Sequence, residues 1–191
     1  MLKIGITGGI GSGKTTVAKI VECLGFPVYY ADERGKHLTE NDPEVLQSIR
    51  QFFGNDIFDN NRLNRQALAK IVFSDEEKLR LLNSLIHPAV KRDYETWLNE
   101  QVSDLIFSEI AILFESGRYK DFDKNVLVIA SEEVRLRRVM RRNGLSEVEI
   151  KARMANQWSD EVKLKLADFV INNNEGRGLI QQVIKLIDEL D

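Results

Sequence analysis

The stretch Gly8-Gly9-Ile10-Gly11-Ser12-Gly13-Lys14-Thr15 decides the fold, because it matches the phosphate-binding pattern G-x-x-x-x-G-K-[ST] in full. It follows the short apolar run Leu2–Thr7 and precedes apolar residues at helical spacing that begin with Val17. The sequence therefore predicts a strand, a glycine-rich turn and a helix. In that context the N–H groups of the turn and the positive end of the helix favour a phosphate group.

This loop and the residue after it predict a site for a nucleoside triphosphate. Lys14 would reach the β and γ phosphates, the Thr15 hydroxyl suits a bridging Mg²⁺, and Thr16 can donate to an α-phosphate oxygen. The predicted nucleotide-binding residues here are Gly8, Gly9, Gly11, Ser12, Gly13, Lys14, Thr15 and Thr16, with Thr15 as the metal ligand. The alternative is a chance glycine-rich turn, which the flanking strand and helix disfavour.

Further apolar runs indicate an α/β fold. They lie at residues 27–31, 105–113, 125–130 and 169–171, and most are followed by helical periodicity. Continuous apolar strands that alternate with helices are typical of a parallel sheet covered on both faces. Residues 32–103 predict almost only helix, so we expect one unit over 1–191 whose core is 1–31 with 104–191 and whose helical insert is 32–103. An insert after a strand lies where open α/β sheets bind ligands, and acceptor specificity would be built there.

The composition excludes several classes of protein. The 191 residues are 43% hydrophobic and 30% charged, which suits a globular chain, and the net charge of −3 provides no general attraction for nucleic acid or an anionic membrane. No apolar run approaches the roughly 20 residues of a membrane span. The single cysteine, Cys23, lies among apolar residues and predicts a buried thiol. We expect a cytoplasmic protein, a monomer or small homo-oligomer, without nucleic-acid or membrane partners.

Asp32 is the candidate acidic residue opposite the loop. It follows the predicted strand at 28–31, whose carboxyl end shares a sheet edge with the phosphate-binding loop. A carboxylate there could accept the proton of an attacking hydroxyl or hold Mg²⁺ through water, and both roles stay open. The structural alternative is a helix N-cap, a position that aspartate favours.

An arginine-rich helix is predicted after Ser131, which is its expected N-cap. At about 100° per residue, Arg135, Arg138 and Arg142 fall within a stripe roughly 60° wide. Such a stripe could close over phosphates, because the guanidinium fork suits the charge that spreads over a transferred phosphoryl group. This would make about 132–157 a lid, whereas the alternative is a solvated basic face.

Other local signals mark helix ends and a last turn. Ser74 with Glu77 and Ser146 with Glu149 fit the capping-box pattern, and Pro88 is expected to end one helix or start the next. The amide-rich stretch 172–174 follows the last predicted strand. Its Asn side chains could contact an adenine edge, although Asn also favours turns by itself.

At these motifs the chain resembles the dephospho-CoA kinase family, whose members phosphorylate the ribose 3′-hydroxyl of dephospho-coenzyme A in the last step of coenzyme A synthesis. The resemblance covers nearly the whole chain. Its motifs are residues 5–16, Ala31-Asp32, 83–88, 113–115, Arg138 and Arg142, Arg153 with Gln157, and 167–173.

The resemblance implies a P-loop kinase fold, with a five-stranded parallel sheet flanked by helices, a helical acceptor-binding insert and an arginine-bearing lid. It implies ATP and Mg²⁺ as cofactors and dephospho-coenzyme A as the substrate. The implied catalytic residues are Asp32, Lys14 and Arg138; Arg142 and Asn173 join the nucleotide site; Asp32, Lys36, His87 and Glu115 are the implied acceptor-binding residues. Glu109, at the end of the third predicted strand, could support Mg²⁺ through water.

The chain departs from the family pattern at Tyr30, Lys36, Ala111, Asn143 and Asn172. These departures leave Lys14, Asp32 and the lid arginines in place, so they bear on acceptor binding rather than on the reaction.

Other functions are weighed against this one. A kinase for another nucleoside or nucleotide would share every phosphate-handling part and differ in the insert. A switch-type GTPase draws support from Asp32-Glu33-Arg34-Gly35, but the chain has no Asn-Lys-x-Asp guanine motif. An ATP-dependent RNA-binding protein is disfavoured by the acidic balance and the lack of interleaved basic and aromatic residues.

Overall fold

The structure, a computed structural model, describes residues 1–73, 75–144 and 146–190. The chain forms two compact units: the first combines Met1–Tyr30 with Gln101–Asp191, and the second is Ala31–Glu100. The second unit differs from the predicted insert, 32–103, by one residue at its start and three at its end. Its role in acceptor binding stays a prediction.

The secondary structure alternates strands and helices in the first unit and is mostly helical in the second. The strands are β1 (Leu2–Thr7), β2 (Val28–Tyr30), β3 (Phe58–Asp59), β4 (Arg62–Leu63), β5 (Leu105–Glu109), β6 (Lys124–Ile129) and β7 (Phe169–Asn172). The helices are α1 (Lys14–Cys23), α2 (Ala31–Asn41), α3 (Pro43–Phe53), α4 (Arg65–Phe73), α5 (Glu76–Asn99), α6 (Glu132–Asn143), α7 (Glu147–Ala155), α8 (Asp160–Leu164) and α9 (Leu179–Asp188). A 3₁₀ turn covers Arg118–Asp121.

The first unit is built on a parallel sheet with the strand order β2-β5-β1-β6-β7. Glu109, the last residue of β5, is in register with Ile6 of β1 on one side and with Tyr30 of β2 on the other. The carboxyl ends of these three strands therefore lie at one edge of the sheet. The predicted α/β fold, a five-stranded parallel sheet flanked by helices, is confirmed.

Apolar strand residues form the core of the first unit. Every residue of β5 is buried, and Phe107 at its centre is 0% exposed. Ile4 and Val126 of the neighbouring strands pack in the same cluster as Val17 of α1 and Val183 of α9. Burying one such side chain contributes about 1.5–3 kcal/mol, so the sheet gains most of its stability from these residues.

The second unit has its own small core. Val45, Ile49, Leu68 and Leu82 are buried together and come from three of its helices. The short hairpin β3-β4 turns through adjacent asparagines in the left-handed region, with φ angles of 48° and 64°. Asparagine tolerates this conformation, which suits a tight hairpin turn.

The prediction that Pro88 interrupts a helix is wrong. The helix α5 runs through it without a break, from Glu76 to Asn99. Proline removes one helical hydrogen bond and crowds the preceding turn. Leu82 lies before Pro88 in this helix and Ala89 and Val90 after it, and all three are buried, so tertiary packing on both sides holds the helix together.

The predicted cap at Ser74 lies outside the described residues. The N-cap of α5 is Asp75, whose carboxylate accepts from the N–H groups of Glu77 and Lys78 at 3.0 and 3.2 Å. The hydrogen bond from the Lys78 N–H lowers the pKa of Asp75 below its usual value.

The predicted capping box at Ser146 is confirmed. Its hydroxyl accepts from the Glu149 N–H at 3.3 Å, and the Glu149 carboxylate accepts from the Ser146 N–H at 2.9 Å. The Ser146 hydroxyl also donates to that carboxylate and, with the N–H group, lowers the pKa of Glu149. The predicted N-cap at Ser131 is confirmed by its contact with the Val134 N–H at 3.4 Å.

The prediction that Cys23 is buried is wrong. It is the last residue of α1, and its side chain is exposed. The buried face of this helix consists of Val17, Ala18 and Val21, which point to another side of the helix.

None of the helices in the described ranges has the length and hydrophobicity of a membrane span.

A pair of leucine substitutions tests whether strand β6 is buried in the core. Leu127 of β6 is 0% exposed, whereas Leu24, just after α1, is 42% exposed. We expect Leu127→Ala to lower the free energy of unfolding by about 2–5 kcal/mol, because it leaves a cavity in the sheet. Leu24→Ala should cost less than about 1 kcal/mol in the same urea titration. Equal losses for both variants would contradict the assignment of the core.

Candidate active site

The loop between β1 and α1 has the geometry of a phosphate-binding turn. Gly11 and Gly13 have φ angles of 79° and 95°, in the left-handed region that favours glycine. The Ser12 N–H donates to the Gly9 carbonyl at 3.0 Å, and the Thr16 N–H donates to the Gly13 carbonyl at 2.9 Å as α1 begins. The predicted order of strand, glycine-rich turn and helix is confirmed.

Other parts of the first unit pack directly against this loop, where a side chain would not fit. A Cβ atom on Gly11 would lie 2.7 Å from the Arg135 carbonyl oxygen and 2.9 Å from Val139 of α6. A Cβ atom on Gly13 would overlap the Asn173 amide. The two glycines are therefore required by packing within the first unit.

Hydrogen bonds hold the loop at two positions. The Ser12 carbonyl accepts from Nδ2 of the buried Asn173 at 2.8 Å and from Nη1 of Arg138 at 3.4 Å. The Ile10 N–H donates to Oε1 of Gln157 at 2.8 Å. Arg138 also donates from Nη2 to the Asn173 carbonyl at 2.9 Å. These contacts hold the loop backbone from three separate parts of the first unit, namely Asn173, α6 and the residue Gln157.

A buried carboxylate lies beside the loop. Glu109, at the carboxyl end of β5, is 3% exposed. Its Oε1 lies 3.6 Å from Nζ of Lys14 and accepts from the Thr15 hydroxyl at 3.3 Å. From the sequence we expect Glu109 only to support Mg²⁺ through water. The structure places its carboxylate beside both Lys14 and Thr15. Its signal in the sequence is an acidic residue at the end of an apolar strand.

A cleft of about 500 Å³ opens on the loop, and we call it the loop cleft. Its charged lining consists of Lys14 from α1, Arg138 and Arg142 from α6, and Arg153 from α7. The other lining residues are Ile10, Gly11, Gly13, Thr15, Thr16, Ala111, Ile112, Val139, Asn156 and Gln157. Four cations around one cavity give it a strongly positive character, although the whole chain carries a net charge of −3.

The predicted arginine stripe divides into two parts. Arg138 and Arg142 line the loop cleft, whereas Arg135 lies against Gly9 and forms an ion pair with Asp160 at 3.9 Å. Arg137, expected on another side, pairs with the exposed Glu175 at 3.1 Å. Two of the three arginines in the stripe can therefore reach a ligand in the cleft.

Three predicted site residues lie in the second unit. Asp32 is the second residue of α2, which begins at Ala31 directly after β2. It therefore lies within the first turn of the helix and not at its N-cap. Lys36 lines a cavity of about 190 Å³ whose other walls are mostly apolar, and His87 lies within α5. Their proposed contacts with an acceptor stay predictions.

Two predicted ligand contacts have other partners in the first unit. The amide of Asn173 donates to the Ser12 carbonyl, so it supports the loop. Glu115 lies 2.8 Å from Nζ of the buried Lys163 and accepts from the Trp158 N–H at 3.1 Å. The predictions that Asn173 contacts a nucleotide and that Glu115 contacts an acceptor stay predictions.

Sequence reasoning missed part of the lining. The resemblance includes Arg153 and Gln157 without a role for either, and it does not include Asn156. The sequence signal for Arg153 and Gln157 is that a cation and an amide stand about one helical turn apart, after the arginine-rich helix. Lys163 has no local signal, because it looks like any solvated lysine on a short helix.

Two glycine substitutions separate backbone strain from packing. Gly13 and Gly25 have φ angles of 95° and 96°, but a Cβ on Gly25 would meet nothing within 4 Å. We expect each alanine variant to lose about 1–2 kcal/mol of stability through left-handed strain. Gly13→Ala alone should also lose affinity for ADP in isothermal titration, because the added methyl displaces Asn173. Normal ADP binding by Gly13→Ala would contradict this account of the loop.

Comparison with known proteins agrees with this geometry. The family model described as dephospho-CoA kinase matches residues 2–178. The dephospho-CoA kinase of Porphyromonas gingivalis is 40% identical over 189 residues, which cover 98% of this chain and 94% of the relative. The solved structure of TT1252 from Thermus thermophilus has 38% identity and a TM-score of 0.89, and covers 100% of this chain and 98% of that one. Dephospho-CoA kinase from Campylobacter jejuni has 29% identity and a TM-score of 0.71, with 98% and 96% covered. The chain belongs to the dephospho-CoA kinase family.

Proposed function

We propose that this protein transfers the γ-phosphoryl group of ATP to the ribose 3′-hydroxyl of dephospho-coenzyme A, which gives coenzyme A and ADP in the last step of coenzyme A biosynthesis. The observation that carries this proposal is the loop cleft, where a phosphate-binding turn, Lys14 and three arginines meet in a chain of this family. The resemblance noted in the sequence and the names of the relatives point to the same reaction.

The loop cleft supports binding of the ATP phosphates. The loop N–H groups and the start of α1 suit phosphate oxygens, and Lys14 adds a positive charge beside them. Arg138 donates to the Ser12 and Asn173 carbonyls and also lines the cleft, where its other N–H groups would suit phosphate oxygens. Arg142 and Arg153 are further cations of the same lining.

The residues beside Lys14 fit a magnesium ion. The Thr15 hydroxyl and the Glu109 carboxylate are hard oxygen donors 3.3 Å apart, and Mg²⁺ is held by such oxygens together with substrate phosphates. We assign Thr15 as a direct ligand and Glu109 as a support through water. When bound, Mg²⁺ would offset the negative charge of the β and γ phosphates.

Asp32 is the proposed general base. The 3′-oxygen attacks the γ-phosphorus, the bond from that phosphorus to the β–γ bridging oxygen breaks, and Asp32 takes the hydroxyl proton. Support comes from the chain itself, because Asp32 follows β2 by two residues and β2 ends in register with Glu109. Lys14, Arg138 and Arg142 would stabilise the charge that spreads over the transferred group.

The second unit is the proposed acceptor-binding part. Lys36 and His87 are its candidate contacts by resemblance, and the apolar cavity beside Lys36 offers room for a substrate with an uncharged arm. A cytoplasmic location, a monomer or small homo-oligomer, and the lack of nucleic-acid or membrane partners remain expectations from the sequence.

The Asp32→Asn substitution tests the base. The amide retains the size of the side chain but cannot take a proton at neutral pH, so we expect turnover to fall by about 10²–10⁴-fold. The affinity for ADP should stay within about twofold of the wild type. An unchanged turnover number would remove Asp32 from this role, and a joint loss of ADP binding would assign it to the nucleotide site.

An acceptor panel tests the substrate. Coupled detection of ADP should show turnover with dephospho-coenzyme A that exceeds turnover with ordinary nucleosides and nucleotides by at least about 100-fold. ATP should be a better donor than GTP. A nucleoside that reacts as fast as dephospho-coenzyme A would favour a kinase for another nucleoside or nucleotide. A strong preference for GTP over ATP would favour the hypothesis of a switch-type GTPase.

A further inference from the structure

Lys163 is a fully buried lysine that the reaction does not use. Its side chain is 0% exposed, and Oε1 of Glu115 lies 2.8 Å from its Nζ. A buried ammonium group is costly unless a carboxylate compensates its charge, so this pair holds α8 against the segment that follows β5. The neighbours Leu113 and Phe114 are both 0% exposed, which fixes the backbone next to Glu115.

The carboxylate of Glu115 is engaged by other residues of the first unit, and its side chain is 12% exposed. Oε1 accepts from the Trp158 N–H at 3.1 Å in addition to its contact with Lys163. Oε2 is buried and has no hydrogen-bond partner among the described residues. These contacts connect Glu115 to residues 157–163, which we call the anchor segment.

The anchor segment also contacts the phosphate-binding loop. Gln157, its first residue, accepts from the Ile10 N–H through Oε1 at 2.8 Å. Asp160 pairs with Arg135, whose guanidinium lies against Gly9 of the same loop. The hydrogen bond to Ile10 is thus made by a residue whose neighbour, Trp158, is held by Glu115.

We propose that Glu115 is a positioning residue for the nucleotide site: together with Lys163 it fixes the anchor segment, so that Gln157 holds the Ile10 N–H and keeps the loop in its phosphate-binding shape. Gln157 is the second positioning residue, and it acts by direct contact with the loop backbone. The inference rests on the proposed ATP site. It gives Glu115 a role in nucleotide affinity rather than in contact with the acceptor.

The first test is Gln157→Met, which keeps the length of the side chain and removes the acceptor oxygen. We expect the affinity for ADP with Mg²⁺, measured by isothermal titration, to fall about 3- to 10-fold, the usual effect of one hydrogen bond. The melting temperature without nucleotide should change little. Gln181→Met, on the exposed surface of α9, is the matched control and should bind ADP as the wild type does. Wild-type affinity in Gln157→Met would overturn the proposal.

The second test links Glu115 to Gln157. Because Glu115→Gln alone leaves a buried charge on Lys163 and can prevent folding, the Glu115→Gln/Lys163→Met double variant is used. It should lose about 3- to 10-fold in ADP affinity when Gln157 is present, but less than about twofold when Gln157→Met is also present, because the two act through one hydrogen bond. Equal losses in both backgrounds would overturn the proposal.

Kinetics with the acceptor distinguish a positioning role of Glu115 from direct contact with the acceptor. If Glu115 contacts dephospho-coenzyme A, the double variant will raise the KM for that substrate and leave ADP affinity unchanged, which contradicts a positioning role. ADP binding is measured without an acceptor, so these results do not depend on which hydroxyl is phosphorylated. A wild-type chain that binds ADP but does not turn over dephospho-coenzyme A contradicts the proposed function and leaves the test of Glu115 unaffected.

Discussion

The close packing of α6 and Asn173 against a loop without side chains is the constraint on which the rest of the site depends. The missing Cβ atoms of Gly11 and Gly13 leave room for the Arg135 backbone and for the Asn173 amide. That approach allows Arg138 to reach the Ser12 carbonyl, and it brings Arg142, one turn further along α6, into the loop cleft. The glycines of the phosphate-binding motif thus allow the arginine-bearing helix to pack against the loop.

The electrostatics of the site follow from this packing. Lys14 and the cleft arginines concentrate positive charge in a chain that is slightly acidic overall, so attraction for polyphosphate is local. Glu109 partly offsets the charge of Lys14 and accepts a hydrogen bond from the Thr15 hydroxyl, which holds both side chains beside the loop. Phosphoryl transfer needs little covalent participation by the protein, so in the proposed reaction this arrangement of donors would supply most of the catalysis by the first unit.

Short sequence patterns predicted those elements whose structure depends on residues close together in the chain. The phosphate-binding turn, the α/β order and the cap at Ser146 all depend on residues close in sequence, and each is confirmed. Contacts between distant residues left no such signal: Asn173 meets Ser12 across 161 positions, and Lys163 pairs with Glu115 from a different element. Pro88 failed as a helix boundary because packing of the second unit outweighs the lost hydrogen bond.

A crystal structure of the protein with ADP and Mg²⁺ would show whether the loop cleft binds the phosphates. We expect the β-phosphate oxygens to lie about 2.7–3.2 Å from the N–H groups of Gly13 and Lys14, with Gln157 still bonded to the Ile10 N–H. The guanidinium of Arg138 or Arg142 should contact the same phosphates. A diphosphate bound outside the loop cleft, or a loop that opens to release Gln157 and Asn173 when ADP binds, would contradict it.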